Sequence, residues 1–207
     1  MHNTKCSSVR LPRLGEFTLG NIRLVGITLL LAPMQFELVE RQITMAGLKD
    51  SFINGLSAMY NTEKLVTQGA PELMHGIQSA QAKQVMEQHG QESPQQMQRL
   101  EQVFQMAGET PNDIQPDGII GILKENEKIQ SQGYDPATLE AATVAAAQRI
   151  QHYEIAGYGT LVSYAKQLGM NDAAQLLGQT LSEEKSADDK LTQVAESMSN
   201  PQSAQAA

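Results

Sequence analysis

The sequence predicts an all-α fold, a bundle of four long helices with an extra short helix in the crossover between the second and third. Three observations predict it. Ala, Leu, Gln, Glu and Met dominate a chain with no Trp and only four Phe, a composition that favours helix over strand. Four segments place apolar residues at three-four spacing, which lines one face of a helix. Gly, Pro and capping residues punctuate the chain between those segments. With 207 residues and 41 % of them apolar, the chain suits one domain with a real core.

The first helix begins near Met45. In "LKDSFINGLSAMYNTEKLV", Phe52, Leu56, Met59 and Tyr60 share one stripe, and Pro71 and Gly76 are expected to kink or end the helix. The second runs from Ala80 to Met106 and stops at Gly108. The connection "TPNDIQPDGIIGILKENEKIQSQG" holds the shorter helix, from Gly118 to Gln130. The third takes Asp135 as N-cap and Pro136 at its first position, where a missing N–H breaks no helical bond, and runs to Leu168 before Gly169. Asn171 is expected to cap the fourth, which reaches Met198. The end, "SNPQSAQAA", reads as a frayed polar tail, so residues 197–207 are expected to be disordered and the bundle to occupy 45–196. Four long helices with one long connection have the connectivity of ferritin-like folds.

Charge excludes several functions. Residues 45–207 carry ten Lys/Arg against twenty Asp/Glu, a surface unsuited to nucleic acid or anionic membranes, whose binding relies on basic groups. The single cysteine, Cys6, lies outside this body, which leaves no disulfide framework or thiolate site there and fits a reducing, cytoplasmic setting. The chain holds no phosphate-cradling Gly-rich loop before a Lys, no C-x-x-C, no H-E-x-x-H and no G-x-S-x-G. "GYG" at Gly157–Gly159 lies inside the third helix and reads as close helix packing.

Residues 1–44 differ from the rest. "NIRLVGITLLLAPM" (Asn21–Met34) follows Arg10 and Arg13 and includes Arg23, a loose likeness to a secretory signal without a small-x-small cleavage site. The run is short for a membrane span. Further readings stand beside the signal: a misassigned extension, with Met45 as the true start, a disordered N-terminal extension, or one that is ordered or functional.

The carboxylates carry the functional reading. Successive helical residues turn by about 100°, so each acid can be placed against the apolar stripe of its own helix. On the third helix, Ala147, Ile150, Tyr158, Leu161 and Ala165 fall within about 40° of Glu154, which makes Glu154 the lone charge on the buried seam. His152, two residues earlier, points about 200° away, beside Arg149, Ser163 and Lys166. On the fourth helix Glu184 and Asp188 sit within the stripe of Leu177, Leu181, Leu191 and Ala195, while Glu183 turns partly away. Glu63 lies on the line of Phe52, Leu56 and Tyr60; His89 and Glu92 share a face with Val85, Gln96 and Val103. A single Glu on an apolar seam usually reaches water with its stem. Four helices that each bury an acid are harder to explain so, because an unpaired buried carboxylate costs several kcal/mol. Arg99 is the one cation near these stripes. Two divalent metal ions, iron or manganese, would offset four of the five negative charges, since carboxylates with little imidazole suit those ions.

"LKDSFINGLSAMYNTEKLV", "RLEQVFQMAGETP", "AAAQRIQHYEIAGYGTLVSYAKQLG" and "LLGQTLSEEKSADDKLT" together resemble the YciE/YciF-type ferritin-like family, from Ala46 to Ala195 and in the same order. The resemblance implies a bacterial, stress-associated four-helix bundle, a homodimer with a dimetal centre. Carried over by position, the implied ligands are Glu63, His89, Glu92, Glu154, Glu184 and Asp188. The second helix reads His89-x-x-Glu92, the reverse of the usual Glu-x-x-His, and the fourth offers Glu184-x-x-x-Asp188 without a histidine. Two departures from the pattern stand out. Gly90 and Pro94 flank Glu92, so the helix is expected to kink there or to restart at Ser93 and Pro94. Gln151 replaces an acid one turn before Glu154.

Tyr60 and Tyr158, each one turn from an implied ligand, are packing residues or hydrogen-bond donors to the ligands. His152 reads as an interface or capping residue and His75 as surface. Two functions follow: an oxygen- or peroxide-reactive dimetal protein in iron handling or stress protection, or a non-catalytic helical stress protein with a structural or degenerate metal site that acts through protein contacts.

Overall fold

The computed structural model describes residues 47–206, and every described element is helical. The readings of residues 1–44 lie outside the described residues. Five helices and a C-terminal extension follow in order: α1 (Leu48–Met74), α2 (Ala80–Ala107), α3 (Asp117–Gln130), α4 (Pro136–Gln167), α5 (Asn171–Val194) and α6 (Asn200–Ala206). Around the bundle α1 packs on α2, α2 on α5, α5 on α4 and α4 back on α1; α3 lies outside against α4 and α1. Among the described residues no helix is long and apolar enough to cross a membrane.

Local chemistry sets most boundaries. The Asp50 carboxylate reaches back to the Gly47 N–H (2.7 Å) and closes the start of α1. The Ser79 hydroxyl accepts the Ala82 N–H at the start of α2, and Asp135 accepts from Ala137 and Thr138 at the start of α4. Gly108 and Gly169 adopt φ of 70° and 72°, the left-handed conformation in which the next residue's N–H bonds back to Phe104 and Ala165 and ends α2 and α4.

Three expectations need correction. Asn171 is the first residue of α5, not its cap; Met170 holds the cap position without a side-chain bond, because the Gly169 turn already fixes the chain's exit. Pro71 and Pro94 sit inside α1 and α2, which continue through them, so no fresh helix begins at Ser93. The 197–207 tail, expected to be disordered, is helical through Ala206 after an expanded turn at Ala195–Ser199. That wide turn precedes Pro201, which lacks the N–H a regular helix would use. Tertiary bonds hold the tail: Ser199 donates to Glu140 (3.3 Å), and Ser203 pairs with Thr138 (2.9 Å). Glu140 also accepts the Gln78 and Ser79 N–H groups, both at 3.0 Å. Those bonds outweigh burial, which alone would raise its pKa, and hold the carboxyl below the ordinary range.

The core has two apolar layers. One gathers Phe52, Leu56, Leu100, Phe104, Leu161 and Leu177; the other gathers Val66, Leu73, Ile119, Val144, Ile150 and Leu191. Each large aliphatic side chain buried there contributes about 1.5–3 kcal/mol. Gly157 lets α4 approach α1: a side chain there would collide with Met59. Between the layers every bundle helix places one ionisable group. Glu63 falls between Met59 and Val66, His89 between Met86 and Leu100, Glu154 between Ile150 and Tyr158, and Glu184 between Leu177 and Leu191.

Candidate metal centre

The four groups meet at the mid-height of the bundle. Glu63, Glu154 and Glu184 are each 0 % exposed and His89 is 5 % exposed. One ligand-type atom from each of His89, Glu154 and Glu184 lies within 4.8 Å of the other two. His89 Nε2 is 3.1 Å from Glu184 Oε2 and 3.7 Å from Glu154 Oε2. Gln96 donates to Glu184 Oε1 at 2.6 Å. Glu63 is held at both oxygens, by the Tyr158 hydroxyl (2.6 Å) and the Ser93 hydroxyl (2.7 Å). Neither oxygen of Glu154 has a hydrogen-bond partner.

Electrostatics makes this arrangement costly without a cation. Burial pushes the Glu63 carboxyl up to about 7, with the Glu184 charge adding to the rise and the Tyr158 and Ser93 bonds opposing it. Burial, then the charges of Glu63 and Glu184, raise Glu154 well above the carboxylate range. Burial alone would lower His89, but the bond and charge of Glu184 outweigh it and the net shift is upward. Burial and the Glu63 charge raise Tyr158 well above an ordinary phenol. Three carboxylates thus face one imidazole. Arg99 does not help, because its guanidinium is engaged by Glu183 at 2.6 and 2.8 Å.

The remaining sequence candidates lie at the edge of this cluster. Glu92 is half-buried and accepts from Gln88 at 2.8 Å. It sits about 60° from His89 around α2, whereas Ser93 and Gln96 lie within about 40°, so the helix turns those two inward instead. Asp188 Oδ1 lies 3.4 Å from Nε2 of the largely exposed His152 and accepts no hydrogen bond. Tyr60 donates to Glu101 at 3.0 Å and packs edge-on against Phe104, away from Glu63. Sequence reasoning missed Ser93 as a partner of Glu63, and the Arg99–Glu183 pair. The 4-3-4 run His89, Ser93, Gln96, Leu100 carried the signal for the first; nothing local announced the second.

The class is now defined: an all-helical bundle that encloses carboxylates and one imidazole between two apolar layers. A family model described as "Domain of unknown function (DUF892)" matches residues 47–204, and the chain belongs to that family. It is 37 % identical over 155 residues to protein YciF of Escherichia coli (strain K12), covering 74 % of this chain and 93 % of the relative. The crystal structure of the E. coli stress protein YciF matches with a TM-score of 0.70 at 35 % identity, covering 73 % of this chain and 96 % of that one. YcfI from Rhodopseudomonas palustris matches with a TM-score of 0.69 at 34 % identity, over 72 % and 96 % of the two chains. The YciE/YciF resemblance and the helical-bundle fold are therefore borne out.

Proposed function

We propose that the buried cluster binds divalent metal, iron or manganese, with one ion held by His89, Glu154 and Glu184 and a second on the Glu63 side. The observation that carries this reading is Glu154, a fully enclosed carboxylate with two unpartnered oxygens. Such a group costs about 1–3 kcal/mol or more unless a cation answers it. The donor set fits, since oxygens with one imidazole suit hard ions such as manganese and iron. When bound, these ions would supply electron transfer to dioxygen or peroxide. The chain's own part is positioning: Tyr158 and Ser93 orient Glu63, Gln96 orients Glu184, and the apolar layers keep water out. The stress-protein description of the E. coli relative supports a place in stress protection or iron handling.

Anaerobic Fe(II) loading of the full chain, followed by dioxygen or peroxide, tests the reading. Loss of Fe(II) with a new near-ultraviolet band is expected. The full enclosure of Glu63, Glu154 and Glu184 favours a second reading, a metal held for structure in a protein that works through contacts. Metal retained without any oxidation supports that second reading; no retention rejects metal binding and leaves a protein with a degenerate site that works through contacts alone. The homodimer implied by the resemblance belongs to the same proposal, and light scattering of the purified chain tests it.

A further inference from the structure

A cleft of about 190 Å³ opens between α2 and α5. Its walls include Gln88, His89, Glu92, Glu183, Ser186 and Lys190. One water needs ~15 Å³, so the cleft has room for a small ion that keeps part of its hydration shell. His89 belongs to both the cleft and the buried cluster: it lines the cleft, while its Nε2 faces Glu184 and Glu154. Glu63, Glu154 and Glu184 do not line the cleft and have no exposed surface.

The two mouth carboxylates differ. Glu183 is neutralised by the two-pronged Arg99 contact. Glu92 has no ion pair among the described residues; its Oε1 accepts from Gln88, whose own oxygen takes the Lys190 ammonium at 2.9 Å. Glu92 is therefore the free negative charge at the mouth, and Lys190 is the one opposing charge that lines it.

We propose that this cleft is the cation entry route to the buried cluster, with Glu92 the carboxylate that captures an incoming divalent ion and His89 the group that passes it to Glu184 and Glu154. This rests on the metal-binding reading above. Glu92, implied as a ligand by the resemblance, is here a transit site. Its position about 60° off the His89 line, half-buried at the rim, suits capture better than residence. The Gln88 donor is an uncharged amide, so no opposing charge holds the carboxylate back from turning toward an arriving ion.

The test is the rate of anaerobic Fe(II) uptake by the full chain, read by rapid quench into a chromogenic Fe(II) chelator. Electrostatic steering changes association rates by roughly 10-fold or more, so Glu92→Gln should slow uptake about tenfold while the final metal count and thermal midpoint stay unchanged. Uptake by the variant should also lose part of its salt dependence, which a merely structural residue would not alter. Lys190→Gln should speed uptake, and Ser186→Trp, which fills the cleft, should slow it. Uptake at wild-type rate in both Glu92→Gln and Ser186→Trp would overturn the route while leaving the metal reading intact. A reduced final metal count in Glu92→Gln would also overturn it, by making Glu92 a resident ligand. A wild-type chain that takes up no metal at all would remove the metal reading, and the route with it.

Discussion

Replacing Glu154 by Gln removes a charge and leaves the shape. In the metal-free protein Glu154 is enclosed, no side chain donates a hydrogen bond to it, and burial, then the charges of Glu63 and Glu184, raise its carboxyl well above the ordinary range. A group whose folded pKa is raised contributes stability that is present below its unfolded value and lost as pH rises. Each pH unit over which Glu154 keeps its proton while the unfolded chain has released it costs about 1.4 kcal/mol. Gln does not titrate, so the variant should shed that slope. The described body has close to 160 residues, and for that size 1 kcal/mol moves the melting midpoint by about 2–4 °C. Scanning calorimetry of chelator-treated wild type and Glu154→Gln between pH 5 and 8 should therefore show a wild-type midpoint that falls more steeply with rising pH than the variant's, by up to about 3–5 °C per pH unit. Added Mn(II) should raise the wild-type midpoint more than the variant's. At 100 times its Kd an ion stabilises the wild type by about 2.7 kcal/mol, and a neutral amide at the centre of the ligand set should remove most of that gain. Equal pH slopes in the two proteins, or an equal Mn(II) gain, would refute the reasoning.

Three other outcomes follow from the same geometry. In the metal-free wild type, Glu63 rises from 4.5 to about 7, so its contribution to stability is full below pH 4.5 and lost by pH 7, about 3 kcal/mol in all. His89 is shifted upward too and acts in the same direction, so urea midpoints should fall from pH 5 to 8, and a flat profile would contradict this. Tyr158→Phe removes the 2.6 Å donor to Glu63, should cost about 1–3 kcal/mol in denaturant, and should push the Glu63 titration, followed by carboxyl NMR, to higher pH. Glu140→Ala strips the partner from the Gln78 and Ser79 N–H groups and from Ser199; a loss of about 2–3 kcal/mol is expected, with early proteolysis of the C-terminal helix.

The sequence made the bundle legible where local chemistry and tertiary structure agree. Asp135-Pro136 starts a helix by capping and a fixed φ, and Gly108 and Gly169 end two others because a left-handed residue is needed there. The rotation of α4 also separated Glu154, which points into the core, from His152, which points out. Failures came where a neighbour decides. The tail looked frayed because nothing within "SNPQSAQAA" is apolar enough to pack; it is held by Glu140 and Thr138, about 60 residues away. Arithmetic along one helix could not say that Arg99 on α2 would meet Glu183 on α5, or that Tyr60 would turn to Glu101. Glu92 and Asp188 lie at the edge of the cluster, near Gln88 and His152, where a carboxylate's direction depends on the partner available and one helix alone does not show it.

Every proposal above depends on the enclosed carboxylates holding metal. Metal content measures it most directly: the full chain, loaded anaerobically with Fe(II) or Mn(II) and desalted, is analysed by plasma mass spectrometry beside the Glu154→Gln/Glu184→Gln double variant. Between about one and two ions per wild-type chain are expected, as the two proposed places in the cluster allow, and fewer than about 0.1 in the variant, because two of the three enclosed anionic ligands are gone. A metal-free wild type, or a double variant that retains as much metal as the wild type, would contradict it.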